Sequence, residues 1–193
     1  MTATLRRFPA AIGLLFLGCL VFLSASPASA ASLVDDYHQL VAQRQKLEAE
    51  RKKYEAEQAR LAAQQKSLLT LFFQCISRQK KDLWEEKVSQ ADAITKKIEE
   101  MRLKLPPLRK EIDKNRKELE KERQAIEARH THKGPGTPYE LDFRHYIKGL
   151  QDRYFHRLAS ELFPGYEAYI REMAAYNQFL KDSVGLCMGQ KID

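Results

Sequence analysis

The chain has 193 residues, enough for one domain or two small ones, and carries 33 Lys and Arg against 26 Asp and Glu. With only 8 Gly and 7 Pro, its composition excludes collagen-like chains and disordered chains rich in these two residues. The abundance of Ala, Glu, Lys, Leu, Arg and Gln favours long helices, and no segment has the alternating pattern of a strand. The sequence therefore predicts an all-α protein.

Residues 1–30 have the parts of a secretory signal peptide. A basic start precedes an apolar run over 10–23, and the segment ends in Ala28-Ser29-Ala30. A retained membrane anchor is one alternative, but the apolar run is shorter than the roughly 20 residues that a spanning helix needs. A lipid on Cys19 is another, disfavoured because the apolar run continues beyond it. We expect cleavage near Ala30 and a periplasmic or secreted protein.

The expected export affects which chemistry the cysteines indicate. Beyond the signal only Cys75 and Cys187 remain, an even pair in an oxidising compartment. No CxxC spacing accompanies them, so a reactive thiol or a metal site is the weaker interpretation. We expect a structural disulfide between Cys75 and Cys187.

A charged coiled-coil rod follows over residues 31–133. From Leu33 to Lys133 there is no Gly, and 24 basic side chains outnumber 18 acidic ones. In the first half of the rod, apolar residues recur every seven positions, which is the periodicity of a coiled coil. The series is Leu33, Leu40, Leu47, Tyr54, Leu61, Leu68 and Cys75.

The second seam position of these heptads is mostly polar. Its residues are Tyr37, Arg44, Arg51, Gln58, Gln65 and Phe72. Half a seam predicts a weak coil that needs another helix to cover it, with a solvated single helix as the alternative. We therefore predict that four apolar residues bind a protein partner or form a homo-oligomer. These four are Leu40, Leu47, Tyr54 and Leu61.

The second half of the rod has a fuller apolar seam, interrupted by Pro106 and Pro107. The seam residues are Trp84, Val88, Ala91, Ile94, Ile98, Met101, Leu105, Leu108, Ile112, Leu119 and Ile126. Because Pro removes a helical N–H and clashes with the preceding turn, we predict a helical hairpin with its tip at 104–107. A kink in one long helix is the alternative. Such a tip would bring the C-terminal residues beside the apolar segment 67–76, which we expect to be buried on several sides.

The rest of the chain divides into a linker and a small helical module. Residues 134–138 are rich in Gly and Pro and predict a loop. Residues 139–193 contain ten of the fifteen aromatic side chains that follow residue 30, and two apolar stripes at helical spacing. We predict two amphipathic helices joined by a tight turn at Phe163-Pro164-Gly165, with the aromatic side chains in the core rather than in a ligand-binding cage.

Catalytic and cofactor-binding patterns are missing from the sequence. No nucleophile, phosphate-binding, zinc-protease or EF-hand motif occurs, and acids on the rod alternate with bases as on a solvated helical face. His130 and His132 lie beside the linker, but two His without a nearby Cys do not define a tetrahedral metal site. We expect no enzymatic activity, no metal and no cofactor. An anionic envelope surface is a plausible partner for the basic rod, and nucleic acid is not.

In gross plan the rod resembles the small periplasmic holdase chaperones of the Skp type, which are exported and basic and have coiled-coil arms. Those proteins also have a β-rich trimerisation body, for which this sequence has no strands. We therefore expect an exported, non-enzymatic coiled-coil protein that acts as a scaffold or holdase-type binding protein in the cell envelope. An accessory or adaptor factor for cell-wall remodelling or surface assembly is the alternative.

Overall fold

A computed structural model describes residues 33–76, 84–134 and 136–189, so the predicted signal peptide lies outside the described residues. These residues are almost entirely helical and include no strand, which confirms the all-α prediction. Helix α1 spans Leu33–Ile76 and α2 spans Glu85–Arg129. Helix α3 spans Pro138–Leu150 and α4 spans Phe163–Met188, and between them lie two π-helical turns, Gln151–Phe155 and Leu158–Leu162.

Helices α1 and α2 run antiparallel. The Arg51 Nη1 atom of α1 lies 2.7 Å from Asp113 Oδ1 of α2. Glu55, one turn after Arg51 in α1, has its Oε1 atom 3.3 Å from Nη1 of Arg109, which lies one turn before Asp113 in α2. The residue numbers therefore increase in opposite directions along the two helices.

The hairpin tip predicted at 104–107 is wrong, because α2 continues through Pro106-Pro107. Both prolines are exposed, and so are Arg102 and Leu103, whose carbonyl groups lose a helical N–H partner. Those carbonyls can bind water, while the neighbouring Leu105 keeps its place in the core. Tertiary burial thus outweighs the local cost of Pro in a helix interior, which is about 3 kcal/mol or more.

The chain from 138 to 188, here called the C-terminal helix, is continuous. Backbone angles on both sides of each π-helical turn are right-handed helical, so the tight turn predicted at Phe163-Pro164-Gly165 is wrong. The Phe163 N–H donates to the Leu158 carbonyl, five residues back, directly before Pro164. A π-helical turn is wider than an α-helical one, and this extra width accommodates the proline ring without ending the helix.

The C-terminal helix lies parallel to α1. The Tyr54 hydroxyl donates to Glu167 Oε1 at 2.7 Å. Nearer the start of both helices, the rings of Tyr37 and Phe143 lie 5.3 Å apart, centroid to centroid. Residue numbers therefore increase together along the two helices.

The same helix lies antiparallel to α2. The Lys97 Nζ atom is 2.9 Å from Glu172 Oε1, whereas Glu111, further along α2, contacts the earlier Arg157 at 2.6 Å. The described residues from 33 onward therefore form a three-helix bundle. Both α1 and α2 make their close backbone approaches to the C-terminal helix rather than to each other.

The core follows a strict heptad on α2 and is filled from the C-terminal helix. The buried residues of α2 are Ala91, Ile98, Leu105, Ile112, Leu119 and Ile126. Large side chains of the C-terminal helix, including Tyr154, Phe163 and Tyr176, are fully buried against them. At Gly165 the approach to α2 is so close that a Cβ atom would lie 2.9 Å from Leu105 Cδ2.

Replacing Ile112 by Ala tests this core. Ile112 is 0% exposed, so the Ile112→Ala variant should leave a cavity and lose roughly 2–5 kcal/mol of unfolding free energy. Urea denaturation followed by far-UV circular dichroism measures the loss. The matched control is Lys110→Ala on the exposed side of α2, which should change stability by about 0.5 kcal/mol or less. Equal stabilities of the two variants would contradict the packing.

Candidate functional site

The four residues predicted to bind a partner are covered by the chain itself. Leu40 and Leu61 are 4% and 3% exposed, and Leu47 and Tyr54 are half-buried against the same core. The C-terminal helix lies over them, and Asn177 Nδ2 donates to the Leu61 carbonyl at 3.0 Å. The seam is thus covered within one chain by the C-terminal helix, and the binding of a protein partner or a second copy through these four residues stays a prediction. One continuous helix is long enough to cover α1, which two short helices joined by a turn would not be.

Arg51, one of the polar seam residues, is satisfied inside the bundle. Its two Nη atoms donate to the Asp113 oxygens at 2.7 and 3.0 Å, and its Nε donates to Glu55 Oε1 at 3.0 Å. Only 12% of the Arg51 side chain is exposed. These hydrogen bonds lower the pKa of the Asp113 carboxyl below its ordinary value. The polar seam position therefore links α1 to α2 within one chain.

The Arg51–Asp113 pair predicts an acid-dependent part of the stability. Because the pKa of Asp113 is lower in the folded chain than in the unfolded one, where it is about 3.9, the pair stabilises the fold above about pH 4. That contribution is lost as the pH falls through the lower, folded-state pKa. We expect Asp113→Asn to cost roughly 1–3 kcal/mol at neutral pH and to weaken the acid dependence of the denaturation midpoint.

Asp152→Asn is the control for this variant. Asp152 pairs with Lys148 at 2.6 Å, but both side chains are largely exposed, and such pairs contribute about 1 kcal/mol or less. The interpretation fails if the two variants show the same stability and the same pH dependence.

Helices α1 and α4 end side by side at Cys75 and Cys187. Their Cα atoms are 6.2 Å apart, within the usual range for a disulfide, and the structure pairs the two sulfur atoms. We call this end of the bundle the disulfide end. The C-terminal helix reaches it by spanning 51 residues, about 75 Å at 1.5 Å per residue. The two cysteines thus meet without the hairpin tip predicted at 104–107.

Breaking this bridge should destabilise the fold. It joins residues 112 apart in sequence, for which the chain-entropy estimate is roughly 4–5 kcal/mol. We expect the double variant Cys75→Ser/Cys187→Ser to have a lower denaturation midpoint than the unsubstituted protein. A reducing agent should lower the midpoint of the unsubstituted protein in the same way. Reduction should not affect the double variant further. Two free thiols per chain, measured by labelling the unreduced protein after unfolding, would contradict the pairing.

Exposed apolar side chains surround the disulfide. They are Leu71 at 41%, Phe73 at 59%, Leu186 at 73% and Met188 at 57% exposure. Each is at most four residues from a bonded cysteine, which is about 6 Å along the helix axis. Of the described residues, the other large apolar side chains with high exposure are Leu103 and Leu141, which lie far from this end. The disulfide end is therefore the apolar part of an otherwise charged surface.

The segment 67–76 was expected to be buried on several sides, and the structure corrects this. Leu68, Phe72 and Cys75 are buried, whereas Leu71 and Phe73 are exposed. The C-terminal helix covers one side of this segment, and its other sides remain exposed. An apolar sequence on all sides of a helix was the signal for this surface, and the seam positions Leu68, Phe72 and Cys75 mark its covered side.

The histidines beside the linker contact protein groups. His130 Nε2 and Arg129 Nη1 lie 2.9 and 3.3 Å from Asp142 Oδ2. These contacts lower the pKa of the Asp142 carboxyl, and the hydrogen bond with His130 is the largest cause. His132 Nδ1 lies 3.1 Å from the Thr131 hydroxyl. Within residues 33–76, 84–134 and 136–189, no three His, Cys, Asp or Glu side chains come together in a way that could hold a metal ion.

No known protein family, curated protein or solved structure matches this chain. Among the described helices, none combines the length and the apolar character needed to cross a bilayer. The disulfide end is thus the candidate site on which a function can be argued.

Proposed function

We propose that this chain is a non-enzymatic binding scaffold of the cell envelope that holds a partner protein at its disulfide end. The four exposed apolar side chains around Cys75 and Cys187 are the observation that supports this function. Burial of apolar surface drives most protein association, and a local concentration of such surface marks interaction sites. Aromatic residues and Met are also enriched in interfaces, and Phe73 and Met188 supply both.

The disulfide end is suited to binding because it is held in place before a partner arrives. A covalent link between the last turns of α1 and α4 restrains helix ends that would otherwise fray. Beneath the exposed side chains, the rings of Phe72 and Trp84 are buried and lie 6.5 Å apart, centroid to centroid. A preorganised surface loses less conformational freedom on binding, which favours affinity.

The closed bundle favours a scaffold or an adaptor over a holdase. A holdase with coiled-coil arms needs accessible arms to hold unfolded clients. Here the α1 seam, including Leu40 and Leu61, is buried under the C-terminal helix of the same chain. One compact apolar end suits one partner, as in an accessory factor that docks on an envelope enzyme or on surface-assembly machinery.

An oxidising location agrees with this function. The signal-peptide pattern of residues 1–30 and the Cys75–Cys187 pairing independently support export, to the periplasm or beyond.

Paired substitutions test the disulfide end. We expect Phe73→Ser combined with Leu186→Ser to weaken binding of the partner at least tenfold, because truncating an interface aromatic commonly costs more than 1 kcal/mol. The control combines Leu103→Ser with Leu141→Ser, whose side chains are 61% and 60% exposed at other places on the bundle. This control should leave binding unchanged.

Site-specific photo-crosslinking in the envelope identifies the bound species. A photoreactive residue at position 73 should capture one stoichiometric protein, and the same residue at position 141 should not. Capture of many unfolded outer-membrane proteins would indicate the holdase instead, and a crosslinked homodimer would indicate self-association. Equal loss of binding in both double variants would place the interface elsewhere.

A further inference from the structure

A second surface, far from the disulfide end, has the features of a ligand site. A cleft of about 450 Å³ opens between α1, α2 and α3. Its floor is apolar, formed by the buried side chains of Leu119, Tyr146 and Leu150, and its rim is charged. This volume lies within the range of small-molecule pockets, which combine apolar walls with a few polar groups.

The rim of the cleft carries an excess of positive charge. Four cations, Arg44, Arg116, Lys117 and Lys121, face one carboxylate, that of Glu120. The Glu120 carboxylate is itself bound by a neighbour outside the cleft, with Arg123 Nη2 at 2.6 Å from Oε1.

Arg44 is paired with an acid, whereas the other three rim cations form no ion pair with a described residue, although the charge of Arg116 helps to lower the pKa of Asp113. The Arg44 Nε atom lies 3.0 Å from Glu48 Oε1. Over the described residues, Arg116, Lys117 and Lys121 form no ion pair, whereas many arginines of the bundle pair with an acid three or four positions away. The cleft thus presents three cations with unused hydrogen-bond donors.

Tyr146 adds an unused donor to the wall. It is 4% exposed, yet its hydroxyl makes no hydrogen bond within the described part of the chain. Burial is the main cause that raises the pKa of Tyr146 to about 12, so its hydroxyl stays protonated at physiological pH. Among the described side chains, Asn177 Oδ1 is the only buried polar atom that is both inaccessible to solvent and without a hydrogen bond. The Tyr146 hydroxyl makes no hydrogen bond with the described residues either, so it must be accessible to solvent through a cleft.

Tyr146 also borders a second, smaller cleft of about 280 Å³, and the two clefts differ in the charge of their lining residues. The smaller one contains the carboxylates of Glu122 and Asp142 beside Arg129 and His145. An anion is therefore disfavoured there and favoured in the larger cleft.

We propose that the larger cleft binds an organic phosphate. A phosphate monoester carries about −1.5 to −2 charge and three acceptor oxygens, which match three unpaired cations better than a single carboxylate does. The phosphate lies among Arg116, Lys117 and Lys121, and the organic part lies on the apolar floor beside Tyr146. Either a free phosphate ester or a phospholipid headgroup has this chemistry. This site is independent of the disulfide end and does not rest on the proposed scaffold function.

Titration calorimetry with glycerol 3-phosphate, and flotation with vesicles containing phosphatidic acid, test the site on the purified protein. Binding of the free ester identifies a soluble ligand, and binding of vesicles alone identifies a headgroup; either result supports the site. Binding to neither probe overturns it.

Matched charge variants separate a built site from diffuse attraction. We expect Lys117→Gln with Lys121→Gln to weaken binding at least tenfold, because hydrogen bonds to charged groups contribute about 1.5–3 kcal/mol each. The control, Lys104→Gln with Lys110→Gln, removes the same charge from exposed, unpaired positions of the same helix and should change affinity less than twofold. Equal weakening in both pairs would mean nonspecific attraction and would refute the site.

Tyr146→Phe probes the wall without changing charge or shape. Losing one neutral hydrogen bond should weaken binding about two- to tenfold. Helix content measured by circular dichroism should stay unchanged in all these variants, since each keeps the buried apolar surface.

Discussion

Helices α1 and α2 have few fully buried apolar residues; on α2 they recur only at every seventh position. Each helix therefore has a narrow apolar stripe, and two such stripes cannot shield each other from water. The α2 stripe from Ala91 to Ile126 keeps this spacing without a slip, and most of the residues between are charged or polar. The C-terminal helix resolves the shortage because it carries most of the large aromatic side chains and lies against both stripes. Ion pairs such as Arg51 with Asp113 then set the register of the two charged helices.

The same constraint explains why prolines are tolerated. Gly165 faces Leu105, so Pro164 and the Pro106-Pro107 pair lie at the same level of the bundle. The C-terminal helix approaches α2 closely here, where Gly165 has no side chain to hold the helices apart. Each helix loses backbone hydrogen bonds at this level, but Leu105, Leu162 and Phe163 remain buried there. Packing between helices thus compensates a defect within each helix.

The features that depend on periodicity and composition were predicted from the sequence. Those that depend on a competition between the local cost of a residue in a helix and the free energy of packing between helices were missed. The all-α class followed from composition, and the seven-residue series through Leu40 and Leu61 marks the buried stripe of α1. The pairing of Cys75 with Cys187 followed from cysteine count and compartment, although the expected route between them was wrong. The turns expected at 104–107 and 163–165 rested on the local cost of proline, which a helix inside a bundle can overcome.

The candidate site shows the same division. A helix with apolar residues on every side signals burial, and in the segment 67–76 only the seven-residue pattern marks the side that packs: the seam positions Leu68, Phe72 and Cys75 are buried, whereas Phe73 lies off the seam and is exposed. The half-apolar seam of α1, by contrast, predicted only a need for another helix and not which one, and the acid that satisfies Arg51 lies 62 residues away in the same chain.

A rigid bundle gives its two candidate surfaces a fixed separation. Arg44 at the rim of the cleft and Phe73 at the disulfide end lie 29 residues apart on the uninterrupted helix α1, about 44 Å at 1.5 Å per residue. Between them α1 is held by the C-terminal helix along its length, and the disulfide fixes the far end. Sites so far apart that share no contacts bind with additive free energies, because coupling requires an element with two alternative arrangements. If both proposals hold, the bundle would act as a spacer that sets the distance between an anionic ligand in the cleft and a partner protein at the disulfide end.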